Sequence, residues 1–154
     1  MPTEYSAENV DSDEIAAFLR KRGSIEVLLV VSANGATYSE IVEKTKIVDS
    51  TVNNRRAEAL ELNLIAGDSE TDEGEVNRFY ALTPLGMAVC QRIYSMGLGA
   101  VFWKLQELRE QYTELSTDLI DWVETDGEML AERGNQLRGW EDAEELPFDD
   151  YLPE

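Results

Sequence analysis

Histidine is missing from the chain altogether, and with it the commonest general base and the commonest metal ligand. Cysteine occurs once, as Cys90, which excludes an internal disulfide and any cysteine-rich zinc site. The longest apolar run, "VLLVV" at residues 27–31, is far short of a membrane span. No basic-then-apolar segment at the N-terminus marks a secretory signal, so a cytoplasmic location without a membrane partner is expected. A phosphate loop, a metal cluster and a nucleophile motif are also lacking, so neither an enzyme nor a cofactor is expected. Lysine is scarce. Lys21, Lys44, Lys46 and Lys104 are the whole supply, and with the arginines they make 13 cations against 32 carboxylates, a net charge of -19.

What is present bounds the class. Apolar residues at 43% rule out wholesale disorder, and 154 residues suffice for one domain with an appendage. The lysine-poor acidic composition resembles that of proteins from extreme halophiles, where hydrated carboxylates keep proteins soluble. An acidic protein of an ordinary cell is the alternative.

The pattern predicts a mainly α chain with a small β-hairpin. Residues 1–12 read as a flexible N-terminus. From Asp13, Ile15, Ala16, Phe18 and Leu19 recur at helical spacing until Gly23. Ser24 is the expected N-cap of a second helix carrying Ile25, Leu28, Leu29 and Val31. Thr37 and Glu40 have capping-box spacing and open a third, with Ile41 and Val42 facing inward. A fourth helix is expected at about 50–64, in "STVNNRRAEALELNLI". Beyond a turn-rich acidic tip, Val76, Phe79, Tyr80 and Leu82 read as the return strand of a hairpin. Thr83 and Pro84 then start a helix reaching Gly97, by cap and N1 chemistry. A long helix follows at 98–124, and 125–154 reads as an acidic tail.

Three successive helices followed by a two-stranded hairpin, within a domain at 13–97, make a winged helix-turn-helix. At "GSIEVLLVVSANGATYSEI", "STVNNRRAEALELNLI" and "FYALTPLG" the chain resembles archaeal and bacterial winged-helix regulators of the PadR and HxlR type, over roughly residues 24–90. The resemblance implies a DNA-binding transcription regulator whose helix at about 50–64 enters the major groove of double-stranded DNA. It departs from the pattern twice. Arg56 stands where an apolar core residue is usual, so its side chain is expected to snorkel outward. Asn63 replaces a glycine, and asparagine tolerates the left-handed turn required there.

The residues give the same reading independently. On a helical wheel Val52, Ala59, Leu62 and Asn63 share one side, while Asn54, Ala57, Glu58 and Glu61 oppose them. Ser50, Thr51, Asn53 and Asn54 occupy the first turn, where hydroxyls and amides suit base edges; asparagine pairs bidentately with adenine. Arg55 and Arg56 are candidates for phosphate or guanine, and Thr37 and Ser39 for a phosphate at a helix N-terminus. Lys46 and Arg78 are further phosphate candidates. The alternative is a winged-helix interaction subunit that binds protein and never touches DNA.

The acidity bears on this choice. Residues 38–65 hold five carboxylates and four cations, so they contribute only -1 of the net -19. In molar salt the Debye length falls to about 3 Å, and distant carboxylates barely repel phosphates. The wing opposes Asp68, Glu70, Asp72, Glu73 and Glu75 to Arg78 alone, so it is expected to stay out of the groove or to bind through cations.

In the long helix Leu98, Val101, Leu105, Leu108, Tyr112, Leu115, Leu119 and Trp122 recur at alternating spacings of three and four, an unbroken heptad seam. Phe102, Ile120 and Val123 widen it. Such a seam predicts a homodimer, which suits two-fold operators, with help from the helix at Ile15 and Leu19. Cys90, among apolar neighbours, is expected to pack rather than to sense redox state. The tail, with Trp140, Phe148 and Tyr151 among carboxylates, is a candidate for docking on a protein partner or mimicking DNA, or else a solvated end.

Overall fold

The computed structural model describes residues 5–6, 9–67, 78–137 and 153. The chain divides into two units, 1–106 and 107–154.

The first unit is built around α2 (Ser24–Ser32), in which five consecutive residues, Val27 to Val31, are buried. A helix apolar on every side belongs in the middle of a core, and each such side chain contributes ~1.5–3 kcal/mol. Around it pack α1 (Ser12–Arg20), α3 (Tyr38–Thr45), α4 (Asp49–Glu61) and α5 (Pro84–Ser95). Asp11 caps α1 by accepting from Glu14 N at 3.0 Å. The cap of α2 differs from expectation. Gly23, at φ 90°, takes that place; Ser24 lies inside the helix, its hydroxyl donating to Lys21 O at 2.8 Å. The left-handed backbone favours glycine, which leaves the serine one position further on.

The capping box of α3 is complete: Thr37 Oγ1 accepts from Glu40 N at 3.2 Å, and Glu40 Oε1 accepts from Thr37 N at 3.3 Å. Ile41 is buried and Val42 half-buried. Helix α4 stops at Glu61, earlier than the expected 64, because Asn63 takes φ 57° and turns the chain. Thr83 caps α5 by accepting from Gly86 N at 3.0 Å, while its hydroxyl donates to Asn63 O at 2.6 Å. That one threonine ties the turn after α4 to the start of α5. Glycine is required at 86, since a Cβ there would lie 1.9 Å from the Leu64 carbonyl oxygen.

The hairpin belongs to a three-stranded antiparallel sheet of β1 (Ala36–Thr37), β2 (Ile65–Gly67) and β3 (Phe79–Leu82), in the order β1-β3-β2. Strands β2 and β3 pair with Ile65 opposite Leu82 and Gly67 opposite Tyr80. Sequence reading misses β1 (Ala36–Thr37), whose two residues are too short to show a period. It pairs Ala36 with Tyr80. These helices and this sheet are a winged helix-turn-helix. The acidic wing residues 68, 70, 72, 73 and 75, and Val76, lie outside the described residues.

Helix α6 (Leu98–Thr125) begins in the first unit, where Phe102 is buried and Trp103 Nε1 donates to the Tyr94 hydroxyl at 3.0 Å. Its remainder belongs to the second unit, together with α7 (Gly127–Gln136), a helix within the segment read as tail. Trp140, Phe148 and Tyr151 lie outside the described residues. Among those described, no single helix is long and apolar enough to cross a membrane.

Candidate nucleic-acid interface

Helix α4 has two faces. Val52, Arg56 and Ala59 are buried, at spacings of four and three. Ser50, Asn53, Asn54, Ala57 and Glu61 are exposed. Thr51 is half-buried, its methyl turned towards Gly23. The exposed face therefore presents a hydroxyl and two carboxamides over its first half.

Arg56 corrects the expectation of an outward side chain. It is 9% exposed, and its guanidinium lies 5.2 Å from the centroid of the Tyr38 ring and 5.7 Å from that of Tyr80. Nη1 donates to the Tyr80 hydroxyl at 2.6 Å, and Nη2 donates to Asn53 Oδ1. The physical reason is phase: residue 56 falls between Val52 and Ala59 on the buried face, where snorkelling is impossible. Two ring faces replace part of the lost hydration, and cation–π contacts strengthen when desolvated. A side chain so enclosed does not reach a phosphate.

Arg55 also turns back from the expected role. Its Nη1 donates to Glu58 Oε2 at 3.0 Å, and Glu58 Oε1 accepts from Lys21 Nζ at 3.1 Å. This bridge joins α4 to the segment between α1 and α2. Sequence reading missed Tyr38, Tyr80, Glu58 and Lys21 as supports. The available signal was the helical phase of position 56, read without regard to its charge.

Tyr38 anchors the entry to α4. Its hydroxyl donates to Asp49, at the carbonyl (3.0 Å) and at the carboxylate. Burial, then the hydrogen bond to Asp49, pushes the phenol up to about 12, so it stays a neutral donor.

The remaining candidates are scattered around α4. Lys46 is exposed, at φ 58° in the turn between α3 and α4. Thr37 has its N–H and hydroxyl engaged by Glu40, so a carboxylate already occupies the helix end expected to receive a phosphate. Ser39 is exposed beside it. Arg78, half-buried, lies over Gly67 at the root of the wing. Val48, unnoticed in the sequence, is 70% exposed at the N-cap of α4. Cys90 is buried, and burial pushes its thiol up to about 11, which suits packing rather than redox chemistry.

The class that these elements define is a winged helix with an exposed, amide-bearing second helix of its helix-turn-helix. No protein-family model matches the chain, and no curated protein matches it. Among solved structures it is similar to NMB1585, a MarR family regulator from Neisseria meningitidis, at 21% identity and TM-score 0.46, over 81% of this chain and 89% of that one. It is also similar to the MarR family transcription regulator SP03579, at 20% identity and TM-score 0.48, over 77% and 85%. Wild-type Lactococcus lactis ZitR in complex with DNA is similar at 20% identity and TM-score 0.43, over 86% and 83%. The winged-helix class rests on the element order and strand register.

Burial of Arg56 predicts a stability effect. Arg56→Ala removes both ring contacts and leaves the Tyr80 hydroxyl without its donor, at a cost of roughly 2–4 kcal/mol. Urea unfolding measures it; an Arg56→Ala variant as stable as the parent contradicts the buried placement.

Proposed function

We propose that the chain is a sequence-specific DNA-binding transcription regulator, acting as a homodimer in high salt, of PadR/HxlR type and haloarchaeal character. The observation that carries this reading is the exposed face of α4. Ser50, Asn53 and Asn54 are exposed to solvent, while Val52, Arg56 and Ala59 of the same helix turn to the core. Polar groups on a rigid helix suit base edges in a major groove. Lys46 and Arg78 serve phosphates, with Thr37 and Ser39 at the margin and Thr51 as a shorter hydroxyl contact.

The long helix α6 supports the dimer. Along α6 the seam residues Val101, Leu105, Leu108, Tyr112, Leu115, Leu119 and Trp122 are exposed, from Trp122 at 41% to Tyr112 at 76%. Leu98, half-buried, starts the stripe. A contiguous apolar stripe of this length marks an interaction surface, and its heptad spacing suits a second copy of itself.

The interaction-subunit reading also has an observation in its favour. With Arg55 and Arg56 turned inward, Lys44 paired with Glu40 at 4.0 Å, and Glu40 at the end of α3, the surface is less positive than its composition. Protein binding in place of DNA binding accounts for that equally.

Three expected outcomes follow from the proposal. Asn53→Ala or Asn54→Ala costs roughly 1–3 kcal/mol on the selected site and relaxes its preference, whereas Lys46→Ala weakens all duplexes alike. Paired titrations on operator and scrambled duplex decide this; folded Asn53 and Asn54 variants that keep both affinity and preference favour the interaction subunit.

Ordinary DNA binding weakens steeply with salt as counterions are released. Here carboxylates near the phosphates recruit cations, so affinity changes little, or rises, as KCl approaches molar. A steep ordinary loss over the same range argues against it.

Replacing Leu105 and Leu108 with glutamate yields monomers, because an unpaired charge in an apolar seam costs several kcal/mol. Light scattering that still shows dimers removes this interface.

A further inference from the structure

The contact between Arg56 and Asn53 has consequences for what Asn53 can read. A guanidinium has donors only, so the amide atom facing it must be the oxygen. That fixes an otherwise ambiguous side chain: Oδ1 faces inward to Arg56, and Nδ2, with both hydrogens, is the end of an exposed residue left for a ligand. The same guanidinium is held by the Tyr80 hydroxyl and by the Tyr38 and Tyr80 rings, so it has little room to release the amide. A hydrogen bond from a buried cation also polarises the amide and strengthens its N–H donors.

Asparagine recognises adenine by donating to N7 and accepting from N6–H together. With Oδ1 engaged by a cation, the accepting half of that pair is weakened, while the donating half is strengthened. Guanine presents acceptors only, N7 and O6, on its major-groove edge.

We infer that Arg56 is a specificity-determining positioning residue, which holds Asn53 Oδ1 so that the amide presents Nδ2 to DNA and reads guanine rather than adenine. The inference rests on the proposed DNA-binding function and refines its readout. It also makes the wing strand part of the reading, since Tyr80 on β3 helps to fix the residue that fixes Asn53. Arg56 itself touches no base.

The experiment selects binding sites from a random duplex pool with full-length protein in molar KCl, using wild type, Asn53→Ala, Arg56→Met and Arg56→Lys, each checked for folding by circular dichroism. Wild type is expected to enrich one site. Asn53→Ala flattens one base pair of it, and that pair carries guanine in the wild-type selection. Arg56→Met flattens the same pair or turns it to adenine, while binding to scrambled duplex stays within about twofold. Where Arg56→Met does not fold, Arg56→Lys keeps a charge between the rings but lacks the fork that spans Tyr80 and Asn53. Substituting 7-deazaguanine at that pair, which removes N7, lowers wild-type affinity roughly tenfold and leaves Asn53→Ala unchanged.

Adenine at the pair read by Asn53 overturns the inference without any Arg56 variant, and so does an Arg56→Met protein that keeps the guanine preference. In both cases the DNA-binding reading stands. An Asn53→Ala protein that weakens on all duplexes alike assigns the amide to phosphate and overturns the inference too. A wild type that enriches no sequence overturns the reading and the inference together.

Discussion

A single guanidinium, enclosed between two tyrosine rings, is the contact on which the arrangement of the first unit turns. Arg56 comes from α4, Tyr38 from the start of α3 and Tyr80 from the central strand of the sheet. The three elements of the helix-turn-helix and wing thus meet at one charge. Tyr80 has no exposed surface, so the site is closed from the sheet side. A buried cation is costly unless its surroundings replace water; these rings, a hydroxyl and an amide oxygen do so in part, while Arg56 Nε is buried without a hydrogen-bond partner. An apolar residue at 56 would fill the space, but it would not donate to Asn53 Oδ1.

Features governed by a few consecutive residues were legible in the sequence. The Thr37–Glu40 capping box, the Thr83–Pro84 helix start and the left-handed Asn63 each depend on local backbone chemistry, and each is found. The span of α6 followed from its heptad phase. The inward course of Arg56 did not, because residue type outweighed helical position in the reading, although 52, 56 and 59 share one face. Strand β1 was illegible for another reason: two residues carry no periodicity, and only the partner Tyr80 makes them a strand. In the candidate interface, Ser50, Asn53 and Asn54 kept the exposure expected of them. Arg55 and Arg56 did not: Arg55 pairs with Glu58 one helical turn on, a spacing already present in the sequence, whereas the partner of Arg56, Tyr80, is set by folding.

The acidity of the chain now bears on fewer cations than composition implied. Arg55 neutralises Glu58 and Arg56 is internal, which leaves the neutral hydroxyl and amides of Ser50, Asn53 and Asn54 exposed on the first half of α4. Such groups depend little on long-range attraction, and at high ionic strength that attraction is screened in any case. For the proposed DNA binding, readout by short-range hydrogen bonds suits a protein of net charge -19 better than readout by a basic patch.

The most direct test of DNA reading is occupancy of the source genome by the full-length protein, cross-linked in cells at their native salt. The account predicts discrete enriched sites that share a two-fold-symmetric sequence, as a dimer presenting two copies of α4 requires. A flat map, with the protein recovered in complexes that hold no DNA, would contradict it.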